Sequence, residues 1–434
     1  MWLLRTVDYK LRHFPSIEDA PPYVALSHRW DPEGEVTFPD IHHLDRARLM
    51  SGWSKIQNAC KIAAMNDILW IWIDTCCIDK ASSAELSEAI NSMFALYLHS
   101  RICLAYLGDV PAGDKPSAPK SAFRSSGWFT RGWTLQELLA PAAGMILFSR
   151  DWTVIGTRHD LRSVIEEITG IDRHMLTDVP TLFGWADSKQ WTARLRANSL
   201  AKRMSWAARR VTTRPEDRAY SLMGIFGVHM SILYGEGGAN AFRRLQLQII
   251  RQSADQTIFA WGHRLDSSVV DGWMRTVGPR HLHACPGHSP LLAPSPDAFA
   301  HSGSIRPVVL KDFAAAACLA SMKASHYYQT HHGIHIRLPL RRLFPAGSSP
   351  FAADNLYCGA LACSDQSGTL GRGQRWLGLL LVQEPYDDAS IYRCTDVLFL
   401  NASDGQFPVV KGRVWSYPMW QSGWEVQTIY ICTE

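Results

Sequence analysis

Apolar and polar positions alternate between two periods along this chain, and the change of period marks its parts. Tyr23 to Ser27 (YVALS) is a short apolar run of strand type, and His28-Arg29-Trp30-Asp31 follows as its loop. Trp53 to Met65 has helical spacing, with Ile56, Cys60, Ile62 and Ala63 as the inward stripe. Ile68 to Asp74 (ILWIWID) is continuously apolar up to its terminal acid, the pattern of a strand covered on both faces. Ser82 or Ser83 can cap a helix over roughly 84–99, with Glu85 and Glu88 in its first turn. Its inner face is Leu86, Ile90, Met93, Phe94 and Tyr97, a core stripe. Ile102 to Val110 and Gly144 to Ser149 supply two further strands. Strands alternating with helices predict a compact α/β domain, a parallel sheet flanked by helices with right-handed crossovers, over residues 1–155.

The last helix of that alternation lies within Ser126–Pro141, SGWFTRGWTLQELLAP, and is read as a helix from Trp128 to Glu137. Trp133 and Glu137 stand four apart and share a helical face. An indole beside a lone acid suits a sugar or base, and burial against it would raise the carboxyl pKa. The plain alternative is an amphipathic helix with Trp133, Leu135, Leu138 and Leu139 inside and Glu137 wet. Ser27, His28 and Asp31 contain the residue types of a hydrolytic triad. Members of a triad are brought together by folding rather than by adjacency in the chain, which argues against that reading. The strand-end loop they occupy is nevertheless where open α/β sheets bind ligands.

Helical patterns over 160–182 and 189–208, then 239–251, predict a helical segment within 156–262. Arg209, Arg210, Arg214 and Arg218 can grip phosphate or pair with Glu216 and Asp217, and the second is favoured. Tyr234-Gly235-Glu236-Gly237-Gly238 only loosely resembles a phosphate cradle, lacking the Lys-Ser/Thr of a P-loop. From residue 263 the chain turns to Pro, Gly, Ser and His. Apolar runs at 333–340, 355–363, 375–382 and 426–433 then predict a β-rich C-terminal domain, an antiparallel sheet or sandwich.

Composition changes this picture little. The chain has 434 residues, 47% of them apolar and 19% charged, which suits two or three globular domains. A net charge of +4 gives no reason to expect nucleic acid as the partner. The ten cysteines contain no C-x-x-C pair, and reduced thiols in a cytoplasmic protein are expected. A nucleophile at Cys76 or Cys77 has no evident histidine partner. His281, His283, His288, His331 and His332 lack the acid or cysteine spacing of a metal site, and none is expected. The N-terminus carries charges too early for a secretory leader, and no run is long enough to span a membrane.

YVALSHRW, WIWIDTCCIDK, ELSEAINSMFALY, CLAYLGDV and GWFTRGWTLQELLAP, in that order, resemble the heterokaryon-incompatibility (HET) domain of filamentous fungi over roughly residues 20–150. MSWAARRVTTRPEDRAYSLMGIFGVHMSILYGEG, DQTIFAWG and LLAPSPDAF extend the resemblance to about residue 300. The resemblance implies nonself recognition and regulated cell death. It implies as partners a second copy of the chain, or a NOD-like or other incompatibility protein. HET domains are also similar, more distantly, to TIR domains, many of which hydrolyse NAD at the nicotinamide–ribose bond. That likeness makes NAD a substrate rather than a resident cofactor. It implies Glu137 as the catalytic acid, with Trp133, Trp128, Ser27, His28, Arg29, Trp30 and Asp74 around the substrate. TIR enzymes carry a Ser-x-Trp piece, found here at Ser126-Gly127-Trp128, so two tryptophans compete for one role. The other class of function is a non-enzymatic death-signalling scaffold that oligomerises and recruits partners.

Overall fold

The computed structural model describes residues 1–31, 33–177, 188–262, 291–316, 319–320, 322, 327–342, 356–366, 375–383, 391–401, 406–410, 413–416 and 424–432. His281, His283 and His288 lie outside the described residues. The chain divides into two compact units, one of residues 1–197 with 209–241, the other of 198–208 with 242–434.

The first unit is built on seven strands: β1 (Trp2–Arg5), β2 (Leu11–His13), β3 (Tyr23–His28), β4 (Trp70–Ile73), β5 (Ile102–Leu107), β6 (Met145–Ser149) and β7 (Val154–Thr157). Their order is β2-β1-β4-β3-β5-β6-β7. The four central strands β4-β3-β5-β6 are parallel, as the strand–helix alternation predicts. Every residue of β3 is buried, the signature of a strand covered on both faces. Two antiparallel edges go beyond the sequence reading. Residues 2–13 form the β1–β2 hairpin, and β7 folds back on β6.

Among the helices are α1 (Phe38–Ile41), α2 (Leu44–Ala47), α3 (Trp53–Met65), α4 (Ser83–Leu98) and α5 (Thr134–Leu139). Ser82 caps α4 by accepting a hydrogen bond from the Glu85 amide at 3.3 Å. The continuous helix expected from Trp128 to Glu137 is not there. A 3-10 turn at Gly127–Thr130 ends in extended backbone at Arg131, and the helix proper begins at Thr134. The cause lies far away in sequence. The Val211 amide donates to Thr130 O at 2.7 Å and Gly132 donates to Val211 O at 2.8 Å, a bridge that pulls the chain out of helix.

Gly132 is required at that bridge, since a Cβ there would stand 2.4 Å from Thr212 Cγ2. Gly132→Ala is expected to lower the unfolding free energy by about 1–3 kcal/mol, the usual cost of overpacking. Adding Thr212→Ser removes the clashing methyl and keeps the hydroxyl that donates to Arg214 O, so it should recover most of the loss in denaturant titrations.

The helix expected over 160–182 stops early, as α6 (Arg162–Thr169) followed by a 3-10 turn at Arg173–Met175. That expected over 189–208 is two, α7 (Ser188–Arg196) and α8 (Leu200–Ala207), because Ser199 caps the second by accepting from the Lys202 amide. Next come α9 (Asp217–Tyr220), α10 (Met223–Phe226) and α11 (Gly238–Gln252).

In the second unit β8 (Ile305–Pro307), β9 (Tyr328–Thr330), β10 (Gly333–Arg342), β11 (Leu356–Asp365), β12 (Arg375–Gln383) and β13 (Ile391–Asn401) precede a small β14–β15 hairpin (Gln406–Val410, Arg413–Ser416) and β16 (Glu425–Cys432). The order β11-β12-β13-β16-β10 closes on itself, because β10 also pairs with β11. A five-stranded barrel therefore replaces the expected open sheet or sandwich, and closure removes the edges that an open sheet would expose. One pair, β13 with β16, is parallel.

Candidate functional site

The parallel strands β3, β4 and β5 end on one side of the sheet, and the polar motifs of the first unit gather there. β3 delivers Ser27 and His28, followed by Arg29 and Trp30. The end of β4 delivers Asp74, and Asp109 follows β5. The Asp109 carboxylate accepts from Ser126 Oγ at 2.7 Å and from the Gly127 amide at 2.8 Å, which fixes the 3-10 turn. Arg29, half-exposed, lays its guanidinium across Gly127, where a Cβ would be 2.1 Å from Nη1, and lies 3.7 Å from Asp109. Glycine at 127 is thus a matter of close approach. Arg210 donates to Arg131 O at 2.9 Å and to Thr134 Oγ1 at 3.2 Å at the start of α5. At its end, Arg158 donates to Leu138 O and Pro141 O, each at 2.7 Å, and Trp191 Nε1 donates to Leu139 O at 2.8 Å. Six residues are too few for a helix to persist alone, so these side chains hold α5 in place.

That anchoring presents Glu137 to β3. Glu137 is 4% exposed, and Ser27 Oγ donates to its Oε2 at 2.5 Å. Trp128 Nε1 donates in turn to Ser27 Oγ at 2.9 Å, so indole, hydroxyl and carboxyl form a relay. Among the described residues nothing donates to the Oε1 atom. Burial, with the Asp74 charge adding to it, pushes the Glu137 carboxyl up to about 8, while the Ser27 hydroxyl, Arg131 and Arg210 act the other way. The indole on the relay is Trp128. Trp133, one turn before Glu137, hydrogen-bonds Asp217 instead.

On the other face of β3, His28 is buried and neither ring nitrogen has a hydrogen-bond partner among the described residues. Nδ1 stands 3.8 Å from Asp74 Oδ1, itself unpartnered, and Nε2 stands 3.9 Å from Glu35 Oε1. Burial, followed by repulsion from Lys55, drops the His28 pKa to about 3 and keeps the ring neutral. Lys55, a buried lysine that the helical pattern of α3 does not single out, pairs with Glu35 and with Asp31 at 2.9 Å. Trp30 Nε1 donates to Asp74 Oδ2 at 2.8 Å, and burial raises the Asp74 pKa. Ser27 and His28 thus serve opposite faces and different acids, and no Ser27–His28–Asp31 triad exists.

The remaining candidates resolve as structure. Cys76 and Cys77 are buried free thiols, and a hydrogen bond with Cys77 together with burial raises the Cys76 pKa well above normal, which suits no thiolate nucleophile. The Gly235 and Gly237 amides point at Glu216 Oε1, at 2.9 and 3.1 Å, so the glycine-rich loop binds a carboxylate of this chain rather than a phosphate. Tyr234 donates to Asp217 and carries Arg214 over its ring at 3.9 Å. His331 packs on His332, His332 and His335 each pack on Tyr430, and His335 also stacks on Tyr328. Among the described residues no cluster of His, Cys, Asp or Glu could hold a metal ion, and no helix is long and apolar enough to cross a membrane.

Comparison with known proteins agrees with the motifs. Residues 23–120 match the heterokaryon incompatibility protein (HET) family, and residues 240–367 match a domain of unknown function, DUF8212. The vegetative incompatibility protein HET-E-1 of Podospora anserina is 43% identical over 267 residues, which is 60% of this chain and 17% of that relative. The chain thus aligns with about a sixth of the relative's length. No solved structure matches.

Proposed function

We propose that this chain, which carries a HET domain, drives an incompatibility cell-death reaction by hydrolysing NAD at the nicotinamide–ribose bond. The observation that carries the reading is the nearly sealed Glu137 carboxyl at the carboxyl ends of the parallel strands, bonded to Ser27 through one oxygen only. A desolvated carboxylate is costly until a cation faces it. The nicotinamide riboside linkage supplies one, a positive pyridinium nitrogen on the sugar carbon. When the bond breaks, its electron pair goes to that nitrogen and nicotinamide leaves neutral. The positive charge passes to the ribose as an oxocarbenium-like centre, which water captures with release of a proton. Departure needs no general acid, so one carboxylate suffices where glycosidases commonly use two. Glu137 stabilises the developing cation electrostatically and accepts from a ribose hydroxyl at Oε1, while Ser27, itself held by Trp128, holds Oε2.

The reading keeps the protein in the cytoplasm, where NAD is available, with a second copy or a NOD-like incompatibility protein as the trigger. The test is nicotinamide release from NAD by the purified chain. Glu137→Gln is expected to lower the rate by about 10²–10³-fold, the scale of losing one preorganised electrostatic group. Release that survives the substitution would remove Glu137 from the mechanism. With no release from the wild-type chain, the scaffold function would stand in its place.

A further inference from the structure

A second space lies at the carboxyl end of β4. A cleft of about 630 Å³ opens between α1 and the loop joining β4 to α4, with Phe38, His42, His43, Thr75, Asp79 and Lys80 in its walls. That volume is within the range of small-ligand pockets. The Lys80 ammonium sits 3.5 Å above the Trp30 ring, and among the described residues it forms neither an ion pair nor a hydrogen bond. An indole face keeps an ammonium charged without neutralising it. Burial lowers the Lys80 pKa, and the nearby Asp74 charge opposes that. The carboxylate in the cleft wall is engaged by the chain, since Asp79 Oδ1 accepts from the Ala81 amide at 3.0 Å. A half-buried ammonium with no ion pair among the described residues, in a cleft that also offers two exposed imidazoles and a phenyl ring, suits an anionic, ring-bearing ligand.

The cleft and the Glu137 carboxyl both lie at the carboxyl ends of the parallel strands, and a chain of side chains links them. Lys80 covers Trp30, Trp30 donates to Asp74, and the charge on Asp74 is one cause of the raised Glu137 pKa. We propose that this cleft receives the phosphate-bearing half of a nucleotide substrate, with Lys80 as the phosphate ligand. The proposal rests on the NAD-cleavage reading for what the other half of the substrate is. A dinucleotide carries its pyrophosphate next to the ribose that Glu137 would face, so one molecule can fill both places.

The test begins with the unaltered chain and ADP as the probe. ADP is expected to protect Lys80 from acetylation by acetic anhydride, read by mass spectrometry, and adenosine is not. Lys80→Met keeps the apolar stem on Trp30 and removes the charge. It is expected to raise KM for NAD about tenfold, the scale of one charge-assisted contact, with kcat little changed. Cleavage of nicotinamide riboside, which has no phosphate, should be unaffected, and Lys80→Arg should restore most of the affinity for NAD. Equal protection by ADP and adenosine, or equal damage to both substrates in Lys80→Met, would overturn the subsite and leave Glu137 chemistry standing. Protection by ADP in a chain that releases no nicotinamide would do the reverse, ending the NAD-cleavage reading and keeping a nucleotide-phosphate site.

Discussion

Stability of the first unit is expected to be flat between about pH 4.5 and pH 6.5 and to fall on either side, with Glu137 and His28 setting the two limits. Glu137 has a folded pKa of about 8 against an ordinary 4.5. A raised carboxyl pKa means that the folded state prefers the proton, so its contribution is complete below pH 4.5 and is lost as pH rises through 8. His28 has a folded value of about 3 against 6.5. A depressed histidine pKa means that the folded state refuses the proton, so stability is present above pH 6.5 and drains away toward pH 3. Between 4.5 and 6.5 the two slopes oppose each other and cancel. Above 6.5 the Glu137 slope is no longer opposed by His28. The full Glu137 effect is on the order of 5 kcal/mol, a large share of a domain's stability. Glu137→Gln should therefore flatten the alkaline limb and leave the acid limb intact. Urea midpoints from about pH 3 to about pH 9 measure both, and an unchanged alkaline limb in Glu137→Gln would refute the assignment.

The same titration should appear with opposite sign in catalysis. The carboxylate is the form that stabilises a cation, so kcat/KM for nicotinamide release is expected to rise with pH toward a limit near 8 in the free enzyme. A cationic substrate favours the ionised carboxyl, so the limb in kcat should lie at lower pH. Stability and activity then run against each other through one side chain, a common arrangement where a charge is held ready in a dry place.

Local patterns carry most of the first unit. α3 needs only its 3.6-residue stripe, and the continuous apolar runs of β3 and β4 are legible because covered parallel strands have no wet face. What escapes is whatever depends on distant chain. Nothing near Thr130 announces that Val211 will bridge it, so Trp128–Glu137 reads as one helix when it is a turn, an extended link and a short helix. The identity of the indole follows from that break. Helical spacing pairs Glu137 with Trp133, whereas the extended link leaves Trp128 on Ser27 and sends Trp133 to Asp217. Lys55 and Arg158 are similarly opaque. A lysine in an amphipathic helix reads as wet until Glu35 and Asp31 fold over it, and Arg158 means nothing until Leu138 and Pro141 present their carbonyls. In the second unit the strands 333–342 and 375–383 are visible as apolar runs, but barrel closure depends on β10 pairing on both sides, which no single run encodes.

Trp128 offers the sharpest separation of packing from relay. Its indole is fully buried, edge-on to Phe129 at 5.2 Å, and its N–H is the donor to Ser27 Oγ. Trp128→Ala is expected to cost about 3–5 kcal/mol, from lost burial and the cavity left behind, with Ser27 deprived of its donor as well. That loss is comparable to the whole stability of a marginal domain, so thermal unfolding should shift far downward or expression should fail. Trp128→Phe keeps a ring in the space and removes only the N–H. Losing one hydrogen bond, with a smaller ring, should cost about 1–2 kcal/mol and leave the chain folded at 25 °C. Freed from Trp128, the Ser27 hydroxyl is less polarised and less constrained, so it supports the ionised Glu137 less well. The pH limb of nicotinamide release should then move upward from its wild-type position, and Ser27→Ala should move it in the same direction. A Trp128→Phe chain with an unmoved limb would mean that the indole packs beside the acid without tuning it, and that the relay ends at Ser27.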